Sequence, residues 1–258
     1  MLIEAGVVLS HTNIVSECYI PTAMWWEDKK AREARGEPPF EYRTLAHLPA
    51  AHIAGVQGYF VNPFFMGGTT FWMPKFDFIK FLEYNKQHRI TIFFTVPPIY
   101  LLIAKMDIVT DQFDTLEVAI SGAAPLGKEL QYAASAKLGK GKAFISQTWG
   151  LSETTGSVTA MPWSEHDDTG SVSKLLPNMS IRLVDDDGKD VEEGQPGEVL
   201  VKGPVVTKGY YGNPQATRDS FVDGWFCTGD VAVWRNGLPY IVDRKKVLCL
   251  HFPSPMNT

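Results

Sequence analysis

The densest grouping of chemically useful residues in the chain is Gln147-Thr148-Trp149-Gly150-Leu151-Ser152-Glu153-Thr154-Thr155, which follows the apolar run Ala143-Phe144-Ile145. Trp149 offers a ring that can stack on a base, Ser152 a hydroxyl that can bond a phosphate, and Glu153 a carboxylate that can hold Mg²⁺. These are parts of an ATP site. Each residue also has a plainer use: Trp149 in the core, Ser152 as a helix cap, Glu153 as a surface glutamate at a helix start. A second grouping, Ser121-Gly122-Ala123-Ala124-Pro125-Leu126-Gly127, has side chains small enough for backbone to approach a flat ligand. Asp230 follows Gly229, and its carboxylate can accept two ribose hydroxyls or simply serve a turn.

The elements around these residues alternate. Candidate strands at 45–49, 69–73, 90–96, 116–121 and 143–146 are separated by helical candidates at 53–65, 76–87, 98–105 and 128–138. Strand–helix alternation predicts an α/β fold with a largely parallel sheet layered with helices. In such sheets ligands bind beyond the strand ends, where both groupings fall. Residues 12–26 read as an amphipathic helix capped by Thr12 or Asn13, and 27–39, with four acids and four bases before Pro38-Pro39, as a solvated loop. After Thr169 come short β runs punctuated by Asp187-Gly188, Asp223-Gly224 and Asn236-Gly237, which are hairpin signals and predict a small antiparallel β-barrel or sandwich module. The expected organisation is a remnant of a first α/β subdomain (1–41), an α/β subdomain with the adenine-binding segments (42–165), a β-rich module (166–243), and a hinge start with a divergent tail (244–258).

The 258 residues are 45% hydrophobic with a net charge of −5, enough for a sizeable core and without the basic field that nucleic acid or acidic lipid needs. Cys18, Cys227 and Cys249 form no metal or redox pattern, which fits reduced thiols in a cytoplasmic compartment. No acid or base occurs from Thr44 to Pro74, but Pro49, Pro63 and Gly67-Gly68 break any membrane-spanning helix there.

Four segments in order resemble the adenylate-forming enzymes, the family of acyl-CoA synthetases, 4-coumarate–CoA ligases, firefly luciferase and peptide-synthetase adenylation domains. Gln147 to Thr155 resembles the adenine- and metal-binding signature, with Trp149 where tyrosine is more usual. Ser121 to Gly127 resembles the loop lining the adenine. Gly224-Trp225-Phe226-Cys227-Thr228-Gly229-Asp230 resembles the ribose-binding segment, and Asp243-Arg244-Lys245-Lys246 the start of the hinge. The resemblance runs from about Gly6 to Lys246.

The resemblance implies a ligase, closest to the 4-coumarate–CoA ligase type, that joins a carboxylic acid to ATP as acyl-AMP and passes the acyl group to coenzyme A. It implies Ser152 and Glu153 as catalytic residues, with Glu153 the Mg²⁺ ligand. It places Gly122, Ala123, Ala124, Trp149, Gly150, Asp230 and Arg244 around ATP or AMP, and Lys246 at the pivot. His52 matches a histidine near the acyl tunnel; the alternative is a satisfied buried histidine. Gly55 to Tyr59 and Ile120 to Ala123 would wall the tunnel, whose aromatic and small residues suggest an apolar or aryl acid. The setting would be secondary or fatty-acid metabolism, cytoplasmic or, as in some relatives, peroxisomal. The family's phosphate loop, and the lysine-bearing small domain beyond the hinge, have no counterpart in the chain, which reads as truncated at both ends. Two alternatives therefore stand beside the ligase: a non-catalytic nucleotide-binding or interaction module, and adenylation with delivery to a carrier-protein thiol.

Overall fold

The computed structural model describes residues 6–245. The first element is a long helix, α1 (His11–Ala34). Its cap is Ser10, two or three residues earlier than expected: the Ser10 hydroxyl accepts from the Asn13 amide at 3.2 Å while the Asn13 side chain accepts from the Ser10 amide at 2.9 Å. Asn13 then donates to the Pro204 and Val206 carbonyls at 2.7 and 2.9 Å, tying the helix start to the β-rich half. The helix also runs through most of the segment expected to be a loop. Lys30–Glu27 and Lys29–Glu33 pairs at helical spacing, and the good helix formers between them, carry it to Arg35. Gly36, at φ +71°, ends it.

Five short parallel strands follow: β1 (Arg43–Ala46), β2 (Thr69–Trp72), β3 (Ile92–Thr95), β4 (Val118–Ser121) and β5 (Ile145–Gln147). β1 pairs with β2, and β3, β4 and β5 pair in that order. Thr91 joins the two pieces, its amide donating to the Arg43 carbonyl at 3.0 Å. Between β1 and β2 lie α2 (Ile53–Gly55), a π-helical turn over Val56–Val61 and α3 (Asn62–Met66). The single helix expected there is thus wound in three segments, α, π and α. Helices α4 (Phe78–Gln87), α5 (Pro97–Lys105) and α6 (Lys128–Ser135) complete the alternation. They bury Phe81, Phe93, Tyr100, Phe113 and Ile145, all at most 1% exposed, in one core. The predicted layered parallel sheet is therefore present, with each strand one to three residues shorter than the apolar run that signals it.

The second half is antiparallel. Two-residue ladders join β6 (Gly150–Leu151) to β7 (Gly156–Ser157) and β8 (Thr159–Ala160) to β9 (Lys174–Leu175). Beyond them β10 (Ser180–Val184), β11 (Pro196–Lys202), β12 (Phe221–Val222), β13 (Trp225–Arg235) and β14 (Leu238–Arg244) form one sheet, with α7 (Pro214–Asp219) ahead of β12. Bulges at Glu198/Leu200 and Val231/Ala232 bend it, so the expected barrel is realised as a curled, open sheet. Asp223-Gly224 and Asn236-Gly237 turn the two tight hairpins, all four residues at φ between +50° and +77°. Ile20 of α1 and Trp149 pack into the core beneath this sheet.

Candidate active site

Strands β3, β4 and β5 are parallel, so their carboxyl ends share one edge of the sheet. Ser121 pairs with Gln147, which sends the loops after β4 and β5 out side by side. The Thr148 amide donates to the Ser121 carbonyl at 2.9 Å. Gln147 clamps the neighbouring loop, accepting from the Leu126 amide at 2.8 Å and donating to the Leu126 carbonyl at 3.2 Å. A Cβ on Gly122 would lie 2.7 Å from the Phe94 ring, so glycine is required for the loop to pass. Gly150 is tighter still: its Cβ would meet the Gly156 carbonyl oxygen at 1.7 Å.

Trp149 turns away from solvent into the core of the β-rich half and is 8% exposed. Its backbone amide donates to Thr159 Oγ1 at 3.0 Å, and its indole Nε1–H donates to Asp230 Oδ2 at 2.8 Å. The ring thus serves as core, and its edge orients a carboxylate, whereas the sequence suggests a face for stacking. Asp230 stands on β13, where Thr228 Oγ1 accepts from its amide at 3.1 Å. Its other oxygen, Oδ1, lies 3.4 Å from Arg244 Nε on the neighbouring β14. Burial pushes the Asp230 carboxyl above the ordinary aspartate value, against the Trp149 hydrogen bond and the Arg244 charge; the Glu153 charge pushes it the same way as burial.

Ser152 and Glu153 open a single 3₁₀ turn after β6, with Ser152 exposed and Glu153 half-buried. Glu153 Oε1 accepts from the Tyr210 hydroxyl at 2.8 Å, and the Glu153 carbonyl accepts from the Thr207 amide at 2.7 Å. Sequence reasoning does not single out Tyr210 or Thr207. Their signal is the turn-rich Thr207-Lys208-Gly209-Tyr210-Tyr211-Gly212 stretch, whose partner 57 residues away only the fold reveals.

A cavity of about 450 Å³ collects much of this set: Gly122, Ala123, Gly150, Ser152, Glu153, Arg244 and His52 all line it. Trp25, Tyr42, Phe94 and Trp163 add aromatic rings to its lining. Its volume is that of a small-molecule site. His52 caps α2, its Nδ1 accepting from the Ala54 amide at 3.2 Å, and is exposed rather than buried. Ala124, Trp149, Asp230 and Gly55 lie off the cavity surface. A Gly55 Cβ would sit 2.4 Å from the Pro49 carbonyl oxygen, so its role is close backbone packing, while Gln57, Gly58 and Tyr59 beyond it form the wall. Lys246 lies outside the described residues.

Residues 5–211 match the family of AMP-binding enzymes, and the chain belongs to that family. It is 50% identical over 244 residues to a protein of Emericella nidulans named as an acyl-coenzyme A synthetase, covering 94% of this chain and 43% of that one. It is 33% identical over 215 residues to the phenylacetyl-CoA ligase epaB of Aspergillus niger, covering 81% and 40%. Among solved structures, the ATP-bound MatB of Rhodopseudomonas palustris superposes with a TM-score of 0.80 at 30% identity, over 93% of this chain and 45% of that one. The chain thus spans less than half the length of the relatives it matches. Among the described residues no helix is long and apolar enough to cross a membrane.

Proposed function

We propose that the chain carries the nucleotide- and acid-binding face of an AMP-forming acyl-CoA ligase. The observation that carries this reading is the convergence of Asp230, Arg244 and Glu153. Asp230 is held by the Trp149 indole on one oxygen and faces Arg244 on the other, while Glu153 is near enough to shift its proton affinity. Asp230 lies off the cavity surface but pairs with Arg244, which lines it, and a carboxylate oriented by a rigid donor and flanked by a cation accepts a pair of vicinal hydroxyls, as ribose presents them. The small-residue loop at Gly122-Ala123 offers a flat, close-approach surface for the base beside it. The aromatic lining of the same cavity takes the acyl group, which is aryl or apolar in its bulk.

Glu153 presents one carboxylate to the cavity, and among the described residues no three His, Cys, Asp or Glu side chains gather to cage an ion. That donor set fits Mg²⁺, which takes one or two carboxylates and completes its shell from phosphate and water. Bound there, Mg²⁺ would neutralise charge on the phosphates. Tyr210 fixes the direction of the Glu153 carboxylate, and the exposed Ser152 hydroxyl can donate to a phosphate oxygen. In the proposed reaction the acid's carboxylate attacks the α-phosphorus of ATP and pyrophosphate leaves. The thiol of coenzyme A then attacks the acyl carbon and AMP leaves.

Calorimetric titration of the chain with AMP tests the reading. AMP binding that falls about a hundredfold in Asp230→Ala, which removes both acceptors for a ribose diol, is the expected result. Equal AMP affinity in the variant, or no AMP binding by the folded chain, is evidence against the site. Acid-dependent exchange of pyrophosphate into ATP tests the first half-reaction directly.

A further inference from the structure

Among the residues that line the cavity, three side-chain acceptors have no hydrogen-bond partner within the protein, Glu17 Oε2, Gln57 Oε1 and Asn62 Oδ1, as does the indole Nε1–H donor of Trp25; Glu17 and Gln57 are the most deeply buried of the three acceptors. Glu17, in the second turn of α1, is 4% exposed, and its Oε1 accepts from the Ser157 amide at 2.6 Å; its Oε2 has no hydrogen-bond partner within the protein. Gln57, on the π-helical turn, is 5% exposed, and its Nε2 donates weakly to the Thr155 carbonyl at 3.4 Å; its Oε1 is likewise unpartnered. Both side chains line the same cavity as Glu153 and His52. A buried polar atom left unsatisfied costs about 1–3 kcal/mol, so two of them on residues that line one cavity favour a polar group that arrives with the ligand. The structural task of Glu17, bonding the Ser157 amide, needs only Oε1. A glutamine or a smaller polar residue would do it without burying a second carboxyl oxygen.

We propose that Glu17 and Gln57 form a polar subsite that selects a carboxylic acid bearing a hydroxyl on its acyl group. This rests on the proposed function and narrows its substrate. The apolar or aryl acid expected from the sequence fits the rings of Trp25, Tyr42 and Phe94, and the hydroxyl fits the acceptors of Glu17 and Gln57, which line the same cavity. A hydroxyl is the suitable group because it both donates and accepts, and so satisfies a carboxyl in either protonation state. Burial raises the Glu17 carboxyl well above the ordinary glutamate value, against the Ser157 hydrogen bond, which favours a neutral partner over an ammonium group.

The test is calorimetry of the 258-residue chain with AMP present, comparing matched acids: phenylacetate against 4-hydroxyphenylacetate, and octanoate against 8-hydroxyoctanoate. At least one hydroxy acid binding about tenfold or more tightly than its parent is the expected result. Glu17→Leu abolishes that preference and Glu17→Gln, whose Oε1 accepts from the Ser157 amide while its Nε2 donates to the ligand hydroxyl, retains it; near-UV circular dichroism checks that both variants fold. Equal affinity for the members of each pair, the behaviour of a subsite satisfied by water, overturns the proposal. So does a preference that survives in Glu17→Leu. A chain that binds AMP but neither member of either pair overturns this inference alone. A folded chain that binds no AMP overturns the functional reading and this inference with it.

Discussion

The indole N–H of Trp149 donates to Asp230 Oδ2 across 2.8 Å, linking the loop after β5 to the middle of β13, 81 residues later in the chain. The bond is buried and charge-assisted, which places it among the stronger single hydrogen bonds of a protein. It makes one aromatic side chain both a piece of core and the orienting group of a candidate ligand-binding carboxylate.

Trp149→Phe keeps the ring and deletes the donor. Stability should fall by about 2 kcal/mol, because Asp230 stays buried with one partner fewer. The Asp230 carboxyl should move further above its ordinary range, since the lost bond is one of the two influences that lower it. Urea denaturation measures the first effect, and a carboxyl-resolved NMR titration the second. An unchanged urea midpoint would show that the indole contributes only its bulk.

Gly122→Ala and Gly150→Ala should both destabilise, and by different amounts. The Gly122 methyl meets an edge of the Phe94 ring, which can tilt, so a cost of about 1–3 kcal/mol is expected. The Gly150 methyl meets the Gly156 backbone carbonyl, which cannot move without opening the β6–β7 ladder, so this variant should lose more stability and fold poorly. Thermal denaturation of the two side by side ranks them, and the opposite order contradicts the account of the loop.

His47 supplies an acid-sensitive element. It is fully enclosed, with Nδ1 2.8 Å from the Leu45 carbonyl and Nε2 2.9 Å from Thr95 Oγ1, and burial lowers its pKa to about 4 against the weaker, opposite effect of the Leu45 hydrogen bond. The native state therefore holds this proton less tightly than the unfolded chain does. Stability from His47 is present above pH 6.5 and declines as pH falls toward 4, by roughly 3 kcal/mol over that window. His47→Asn, which cannot titrate there, should flatten that stretch of the urea-midpoint curve against pH.

Glu17 works in the opposite sense. Its raised carboxyl favours the protonated native state, so its contribution is fully present below about pH 4.5 and is lost as pH rises toward its native value. Glu17→Gln should be more stable than the parent at neutral pH, with the difference closing as pH approaches 4.5. A gap that is constant with pH would mean that the Glu17 carboxyl has the same proton affinity in the native and unfolded chain.

Tyr210→Phe removes the hydroxyl that orients Glu153 but leaves the nucleotide's other contacts. Affinity for AMP without metal should change little, while the gain in ATP affinity on adding Mg²⁺ should shrink about tenfold. Titrations with and without Mg²⁺ separate the two, and equal losses in both would assign Tyr210 to packing.

The local signals were legible because their causes are local. Asp223-Gly224 and Asn236-Gly237 turn hairpins because those residues tolerate positive φ, and apolar runs mark strands because parallel strands are buried on both faces. The helix–loop boundary after α1 was not legible in the same way. Eight charges look solvated whether or not they sit at helical spacing, and the Lys30–Glu27 and Lys29–Glu33 pairs together with the good helix formers around them continue the helix. Of the two histidines near β1, His52 drew attention by its motif and is exposed, whereas His47 is the buried one with both ring nitrogens engaged. Nothing in the run Ala46-His47-Leu48 distinguishes them, because burial depends on Thr95, 48 residues away.

The amino-acid order determined which side chains are available and which strand ends carry them: Gly122 and Ala123 after one strand, Trp149 to Glu153 after the next, Asp230 in a hairpin. The tertiary structure decided which of them meet and what each does. It turned Trp149 from a stacking face into a donor for Asp230, gave Glu153 the Tyr210 hydroxyl, and brought Glu17 and Gln57 from separate helices to one cavity with an acceptor each to spare. The physical reason is that hydrogen bonding and desolvation act over a few ångströms of space. Between residues 57, 81 or 140 positions apart, only the packed chain sets that distance.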